Sequence, residues 1–274
     1  MASKIDLEIN DKELQIFLED IWTTYNIDFR EYGKAHIKRR IRHRMTVSKW
    51  QTFTEFKTDV LQKQNSFIDL FKDFSINVTE LFRDPEFYQK LYQILSVSQK
   101  EKPINVWISA CASGEEAFSV LMLLEHFNIS YYQIVASDFN PEIISQASRG
   151  SIHFSKMKDY LKNLEKTDLG IDFEKYFTKH DTYYVLKNQY LEKIHFVTHN
   201  LIHELESPKF DLILCRNILI YFEKNLQNTA VNHLTNSLNA EGILCLGAKE
   251  SLRFLQVFPK YNTIDQTHKI YQKK

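Results

Sequence analysis

Residues 105–124 read NVWISACASGEEAFSVLMLL, a pattern that indicates a buried strand, a tight loop with one glycine and then a helix. Many α/β proteins bind their ligands at such a junction. The loop has neither the G-x-G-x-x-G of dinucleotide sites nor the G-K-S/T of phosphate-binding P-loops. Its single glycine, Gly114, is followed by Glu115 and Glu116, whose carboxylates would repel a pyrophosphate and attract a cation.

Strands and helices alternate along the chain on the C-terminal side of this stretch, which predicts a mainly parallel sheet with helices on both faces. The apolar runs occupy 104–111, 133–139, 193–200, 210–217 and 242–248, and the amphipathic segments occupy 115–127, 141–149 and 225–238. Residues 151–190 interrupt the alternation and predict an insertion of one or two helices with a small antiparallel unit. The alternating stretch 262–273 predicts an antiparallel edge strand.

Residues 11–74, on the N-terminal side, have helical periodicity and almost no strand signal, which predicts a small helical bundle. The apolar stripes expected to face its interior are Ile16, Phe17 and Ile21, then Phe53, Phe56, Val60 and Leu61, then Phe67, Leu70, Phe71 and Phe74.

Composition narrows the class of protein. The 274 residues include 35 Lys and Arg and 35 Asp and Glu, so net charge gives no reason to expect a polyanion ligand. The N-terminus lacks the apolar core of a signal peptide, and no run approaches the ~18 apolar residues of a membrane span. Cys111, Cys215 and Cys245 lie in apolar runs without C-x-x-C spacing. We therefore expect a reduced, cytoplasmic protein without a metal site.

Asp138 ends the second predicted strand, where an acidic residue commonly accepts hydrogen bonds from ribose hydroxyls. S-adenosylmethionine has a ribose and a positive charge but no phosphate, so the chemistry of these strand ends favours that cofactor. A purely structural explanation stays open. Ser113 and Glu116 also fit a helix capping box, and Asp138 also precedes a helix that Asn140 would cap.

Five stretches occur in the order of a known family: INVTELFRD (76–84), SGEEAFS (113–119), ASDFNPEIISQA (136–147), HNL (199–201) and FDLILCRNILIYF (210–222). On these stretches the chain resembles the CheR-type chemotaxis-receptor glutamate methyltransferases over nearly its whole length. The resemblance implies an α/β fold with a Rossmann-like class I S-adenosylmethionine-dependent methyltransferase sheet, an N-terminal all-helical domain and a small antiparallel β-insert. The implied boundaries are 1–75 for the receptor-docking helical domain, 76–92 for a linker that contributes to the cofactor site, and 93–274 for the methyltransferase domain, with its β-insert at about 151–190.

The resemblance also implies roles for single residues. The expected contacts of S-adenosylmethionine, and of its product S-adenosylhomocysteine, are Asn77, Thr79, Arg83, Glu116, Asp138, Asn200, Leu201, Arg216 and Asn217. Arg83 and Tyr221 would be the catalytic residues, nearest the methyl group and the incoming carboxylate. Two departures stand out, since the family's usual STGEEPYS loop is ASGEEAFS here and its usual GHSE is GAKE at 247–250, without a histidine.

The segment 33–45 carries six Lys or Arg residues and no acid. Ile37, Ile41 and Met45 recur in it every four residues and should face the bundle. Three bases should then point outward as a substrate-docking surface: Lys38, Arg39 and Arg42. The resemblance implies that this domain meets the glutamate-bearing cytoplasmic helices of methyl-accepting chemotaxis receptors.

Other interpretations of the basic segment stay open. It also fits a solvated charged face, or a contact to nucleic acid, although the neutral net charge and the missing N/D-P-P-Y motif speak against nucleic acid. A non-catalytic cofactor-binding module is a further alternative. In the resembling family, members that bind a tethering pentapeptide at the receptor's C-terminus tend to have a longer, glycine-containing loop in the β-insert. The matching stretch 177–186 is short and glycine-free here, so the resemblance favours an enzyme that needs no receptor tether. We expect a monomer that does not insert into the membrane.

Overall fold

The computed structural model describes residues 8–75, 79–98, 102–203, 205 and 209–274. The chain folds into two compact units. The N-terminal helices and the later segment Tyr221–Gln227 form the first unit, and two sheets with their surrounding helices form the second. Within the described ranges, no helix has the length and apolar character needed to cross a membrane.

The helices of the first unit are α1 Asp11–Tyr25, α2 Lys34–Val47, α3 Phe53–Gln62 and α4 Gln64–Phe74. Capping side chains set where two of them begin. The Asn10 side chain accepts a hydrogen bond from the backbone of Glu13 at the start of α1, and Thr52 with Glu55 forms a capping box at the start of α3.

Aromatic side chains fill the interior of the first unit. Phe17 of α1 packs edge-to-face against Phe53 and Phe56 of α3, with ring centroids 5.5 and 6.0 Å apart. The buried face of α1 consists of Leu14, Phe17, Leu18 and Ile21. The expectation that Ile16 shares this face is wrong, because Ile16 falls outside that i, i+3, i+4, i+7 series and is 47% exposed.

The strands of the second unit are β1 Ile104–Ser109, β2 Tyr131–Asp138, β3 Ser151–His153, β4 Phe177–Lys179, β5 Tyr183–Leu186, β6 Ile194–Thr198, β7 Phe210–Cys215, β8 Leu238–Leu246, β9 Tyr261–Asp265 and β10 Ile270–Lys273. Its helices are α5 Pro85–Ser98, α6 Glu115–His126, α7 Pro141–Ala147, α8 Phe154–Lys166, α9 Phe173–Tyr176, α10 Asn188–Leu191 and α11 Lys224–Ser237, the last of which begins in the first unit.

The main sheet has seven strands in the order β6-β2-β1-β7-β8-β10-β9. The five strands from β6 to β8 pair in parallel, whereas β10 is antiparallel to β8 and to β9. β1, the middle strand of the five parallel ones, is largely buried, and its Trp107 indole donates a 2.8 Å hydrogen bond to Ser137 Oγ on β2. Cys111, Cys215 and Cys245 are buried thiols of this unit. The predicted fold class is confirmed.

Two details differ from the sequence-based expectations or extend them. The stretch at 262–273 forms a hairpin of two strands rather than one edge strand, and β10, the later of the two, lies inside between β8 and β9. The insertion contains a three-stranded antiparallel sheet in the order β3-β5-β4, with α8 between its first two strands in the chain. The domain boundaries at 1–75, 76–92 and 93–274 stay predictions.

Candidate active site at the carboxyl edge of the sheet

The parallel strands β1, β2, β7 and β8 end side by side, and the loops that follow them have unusual backbone. Ala110, Ala112 and Asn217 adopt left-handed conformations with φ of 54°, 49° and 64°. Phe82 and Asp84, just before α5, do the same, with φ of 51° and 58°. Such conformations are strained for side chains other than glycine and concentrate at functional sites. The carboxyl edge is therefore the candidate ligand site of this unit.

The loop after β1 is shaped by Gly114, which caps α6 with φ of 97°. A Cβ at this position would lie 2.8 Å from the Phe118 ring, so only glycine fits. The predicted capping box is wrong, because Gly114 and not Ser113 is the N-cap, and no side chain caps the helix. Ser113 Oγ instead donates a 2.5 Å hydrogen bond to Glu115 Oε2.

Asp138, at the end of β2, is buried, and backbone N–H groups hold its carboxylate. Its Oδ2 accepts from Ala112 N and its Oδ1 from Asn140 N, both at 3.0 Å. Burial raises the pKa of Asp138, and the backbone donors oppose that rise. A carboxylate can accept about four hydrogen bonds. The backbone donors use part of that capacity, while Asn140 caps α7 as expected.

Arg216 follows β7 and forms a buried ion pair. Its Nη1 donates to Glu116 Oε1 at 2.6 Å, and its Nη2 donates to Asp84 Oδ2 at 2.7 Å and to the Arg83 carbonyl at 3.3 Å. The guanidinium also stacks on the Phe87 ring, 4.0 Å from its centroid. Burial alone would lower the pKa of Arg216, but the neighbouring carboxylates outweigh it and raise that pKa.

A second polar cluster joins the insertion to the same edge. The Tyr160 hydroxyl of α8 lies 3.0 Å from the Thr79 carbonyl and 3.1 Å from Glu115 Oε1. Lys156 Nζ, one turn earlier on α8, lies 3.2 Å from the same Glu115 oxygen. Glu115 is only 2% exposed, so its charge is compensated by these partners rather than by water.

Arg83 is half-buried, and its side chain forms no ion pair with the residues that the structure describes. Neither of the neighbouring carboxylates, Asp84 and Glu86, forms an ion pair with Arg83, and Asp84 pairs with Arg216 instead. Asn77, expected in the same segment, lies outside the described residues. Thr79 contributes its carbonyl to the Tyr160 contact.

The turn after β6 also reaches this edge. The backbone N–H of His199 donates to the Asp138 carbonyl at 2.9 Å, which places the turn next to the end of β2. Asn200 Oδ1 accepts from Ile202 N at 3.3 Å, and Leu201 is buried. Asn200 and Leu201 thus follow β6, the strand that pairs with β2, and their contact with the cofactor stays a prediction.

Asn217 and its surroundings are fastened by Glu250. The Glu250 carboxylate accepts from the backbone of Asn217 at 3.0 Å and of Gly247 at 2.6 Å. Asn217 is so close to Gly247 that a Cβ on the glycine would lie 2.7 Å from Nδ2 of the Asn217 side chain. The first and last residues of GAKE, Gly247 and Glu250, therefore make these contacts just after the end of β8.

The remaining predicted residues belong to the first unit. The Tyr221 ring packs against His36 of α2, with centroids 4.5 Å apart and the rings tilted by 41°, and the Tyr221 carbonyl accepts from Gly33 N at 2.8 Å. Ile37, Ile41 and Met45 are buried. Arg39 and Arg42 are exposed, whereas Lys38 is half-buried and pairs with Asp11 at 2.6 Å. Lys38 is thus already paired with an acid outside the basic segment.

The chemistry of the carboxyl edge fits S-adenosylmethionine. Glu116 and Asp138 present buried carboxylates at neighbouring elements, and Glu116 Oε2 receives no hydrogen bond from the described residues. Arg216 Nε is likewise buried without a described partner. Sequence reasoning missed Asp84, Tyr160 and the carboxylate role of Glu250, although FRD and GAKE contain two of them. No described group of His, Cys, Asp and Glu could hold a metal ion.

Comparison with known families covers nearly the whole chain. The family model described as CheR methyltransferase, SAM binding domain, matches residues 77–270. The model described as CheR methyltransferase, all-alpha domain, matches residues 12–75. The second unit therefore contains an S-adenosylmethionine-binding domain, and the expected cofactor is confirmed.

Individual relatives match over similar lengths. Cher3 of Pseudomonas putida is 30% identical over 265 residues, which is 96% of this chain and 97% of that protein. The chemotaxis protein methyltransferase of Listeria monocytogenes is 31% identical over 252 residues, 90% of this chain and 92% of that protein. Among solved structures, magnesium protoporphyrin IX methyltransferase from Synechocystis with bound SAM has a TM-score of 0.37 and 12% identity, covering 69% of this chain and 76% of that chain. A TM-score of 0.37 is too low to support a conclusion about this chain.

Proposed function

Since this chain belongs to the CheR methyltransferase family, we propose that it methylates glutamate side chains of chemotaxis receptors and so produces glutamyl methyl esters for sensory adaptation. That it is an S-adenosylmethionine-dependent methyltransferase of the chemotaxis type is given by the family. The glutamate target, the receptor and a cytoplasmic location are the proposed part. The observation that carries the proposal is the pair of buried carboxylates, Glu116 and Asp138, at a carboxyl edge without a glycine-rich phosphate loop.

Two residues would bind the cofactor's polar groups. When bound, S-adenosylmethionine supplies a methyl group already activated by its positive sulfur. The free Oε2 of Glu116 would accept from its ammonium group, and Asp138 would accept from its ribose hydroxyls. The neighbouring Arg216 fixes the position of the Glu116 carboxylate, because both side chains are buried and joined at 2.6 Å. The remaining lining of the cofactor site would come from Asn200, Leu201 and Asn217.

The substrate carboxylate requires little chemical assistance. A glutamate with a pKa of about 4.3 is ionised at neutral pH and needs no general base. Arg83, whose guanidinium forms no ion pair with described residues, would hold that carboxylate through its planar fork. Tyr221 would fix the direction of approach. We infer that catalysis consists mainly of positioning the two reacting groups.

The basic residues of α2 would guide the receptor. Arg39 and Arg42 are exposed and would attract the glutamates of a receptor helix, while Lys38, paired with Asp11, would contribute less. The enzyme would act as a monomer. It would also act without a receptor tether, since the stretch at 177–186 is short and contains no glycine.

The test uses methyl-labelled S-adenosylmethionine with membranes that contain chemoreceptors. Carboxyl methyl esters release volatile methanol on mild base treatment, whereas methylated bases and amines do not. Base-labile label on a receptor-sized band supports the proposal. Base-stable label, or label on nucleic acid, would replace it with the same chemistry on another target. Cofactor binding without any label would favour a binding module.

A further inference from the structure

The Glu250 carboxylate occupies a cradle of backbone N–H groups at the carboxyl edge. Its Oε2 accepts from Asn217 N at 3.0 Å and Gly247 N at 2.6 Å. Its Oε1 accepts from Leu219 N at 2.7 Å and more weakly from Ile220 N at 3.4 Å. The side chain is 4% exposed, so these donors replace the water that a carboxylate normally binds.

The cradle has the character of an anion-binding nest. Asn217 is left-handed, with φ of 64°, and the turn at Leu219–Tyr221 follows it. Such a succession turns consecutive N–H groups to the same side, where they bind anions in many proteins. Here the anion is the protein's own carboxylate. Burial raises the pKa of Glu250, and the four backbone donors oppose that rise.

The four donors come from two different strand ends. Asn217, Leu219 and Ile220 follow β7, and Gly247 follows β8. Gly247 is pressed against the others, because an added Cβ would lie 2.8 Å from both Asn217 N and Glu250 Oε2. One carboxylate therefore fixes both loops relative to each other. The fastened backbone begins next to Arg216 and ends at the residue before Tyr221.

We propose that Glu250 is a positioning residue for methyl transfer, which fixes Asn217 at the cofactor and the Leu219–Ile220 backbone that leads into Tyr221. It touches neither cofactor nor substrate. The inference rests on the proposed function for the role of Tyr221, and on the cofactor site alone for the role of Asn217. Its charge is needed because a carboxylate can accept from all four N–H groups at once, whereas an amide turns its own donors toward some of them.

The test compares Glu250→Gln with a matched control, Asp211→Asn. Asp211 also fastens backbone and a neighbouring side chain, accepting from Asn105 N at 2.9 Å and Asn239 Nδ2 at 2.7 Å. It lies at the amino end of β7, at the opposite edge of the sheet from the candidate site. Both changes replace a carboxylate by an amide of similar size, so a general loss of stability should affect both variants.

We expect Glu250→Gln to lower kcat by roughly tenfold to a hundredfold, as misplacement of catalytic groups does. The KM for receptor should stay unchanged, and S-adenosylhomocysteine should bind several-fold more weakly by calorimetry. Hydrogen exchange should accelerate in the peptides covering 216–220 and 247–250. Asp211→Asn should lower the unfolding midpoint but leave kcat and cofactor affinity at the wild-type level. Glu250→Asp, which keeps the charge on a shorter side chain, should give an intermediate kcat.

The inference is overturned if Glu250→Gln loses stability as Asp211→Asn does while kcat and S-adenosylhomocysteine affinity stay at the wild-type level. Should Glu250→Gln not fold, the aspartate variant decides, and wild-type kcat and affinity in it would overturn the inference. Failure of the proposed function is separately visible. In that case the wild-type protein methylates no receptor, yet calorimetry and hydrogen exchange still report whether Glu250 fixes the cofactor side of the site.

Discussion

The guanidinium of Arg216 lies 2.6 Å from the carboxylate of Glu116, and the two side chains are 2% and 9% exposed. The pair joins the loop after β7 to the first turn of α6, so it connects the ends of two neighbouring strands. Removing one partner of a buried pair is strongly unfavourable, because the other charge then stays buried and unpaired. The cofactor site and the stability of the second unit therefore depend on the same contact.

Glu116→Gln should weaken S-adenosylhomocysteine binding at least about tenfold, because a hydrogen bond to a charged group contributes roughly 1.5–3 kcal/mol. Calorimetry measures this directly. Glu125→Gln, at the other end of α6, is the matched control, since its 2.7 Å pair with Lys193 is partly exposed and should not affect binding. Equal affinity in wild type and Glu116→Gln would remove Glu116 from the cofactor site.

Arg83→Ala should lower turnover about a hundredfold or more, while the free energy of unfolding changes by only about 0.5 kcal/mol. The reason is that Arg83 forms no ion pair with described residues, so little folded-state energy is lost. Methanol release from labelled receptor measures turnover, and urea unfolding measures stability. Arg149→Ala, at an exposed position, is the control. A parallel loss of turnover and stability would contradict a catalytic role for Arg83.

Tyr160→Phe should lower the free energy of unfolding by about 1–3 kcal/mol, because the buried Glu115 carboxylate and the Thr79 carbonyl lose the hydroxyl donor that they share. Burial and Glu115 raise the pKa of Tyr160, so its hydroxyl remains a donor throughout the physiological range. S-adenosylhomocysteine affinity should fall as well. Tyr183→Phe, in the same insertion but 46% exposed, should change neither quantity. If Tyr160→Phe and Tyr183→Phe had the same unfolding free energy and the same affinity, the contact of Tyr160 with Thr79 and Glu115 would make no energetic contribution.

His36 should make the protein sensitive to acid. Burial, with Arg40 and Arg39 nearby, lowers the pKa of His36 to about 4. An unfolded histidine has a pKa of about 6.5, so between these values the unfolded chain binds more protons than the folded one. Stability therefore falls as pH falls through this window, by about 2 kcal/mol at pH 5.

The measurement is urea unfolding at pH 7 and pH 5, with His36→Phe as the comparison. Phenylalanine can still stack on Tyr221 but takes up no proton. The variant should lose less stability between the two pH values than the wild type, by about the same 2 kcal/mol. Carboxylates elsewhere contribute equally to both proteins. An identical pH dependence in the two would show that His36 is not the acid-sensitive group.

The parts of the site that sequence could predict are those set by strand ends. Glu116 and Asp138 were expected together because parallel strands place their carboxyl ends at one edge. The error at Ser113 arose from backbone geometry. Ala112 and Gly114 both have positive φ, which moves the start of α6 to Gly114 and turns Ser113 toward Glu115. Periodicity does not report such a turn.

The contacts that sequence could not predict join residues far apart in the chain. The Asp84 carboxylate pairs with Arg216, and the Tyr160 hydroxyl contacts the Thr79 carbonyl. Both contacts depend on how α5 and α8 pack in the second unit. Side-chain type alone left Asp84 with several possible partners, including its neighbour Arg83. The Glu250 contacts go to backbone groups, which carry no signal in the sequence. Tertiary packing decides these contacts, whereas local patterns decide the helices and strands.

The segment Tyr221–Gln227 has a consequence for the order in which the protein is made. It belongs to the first unit, where Phe222 pairs with Tyr32 in an antiparallel bridge and their rings lie 5.0 Å apart. The ribosome completes the four N-terminal helices long before it adds these residues. During synthesis Tyr32 and His36 therefore stay uncovered, because the residues that contact them, Tyr221 and Phe222, have not yet been added. The first unit becomes complete only after most of the sheet strands have left the ribosome.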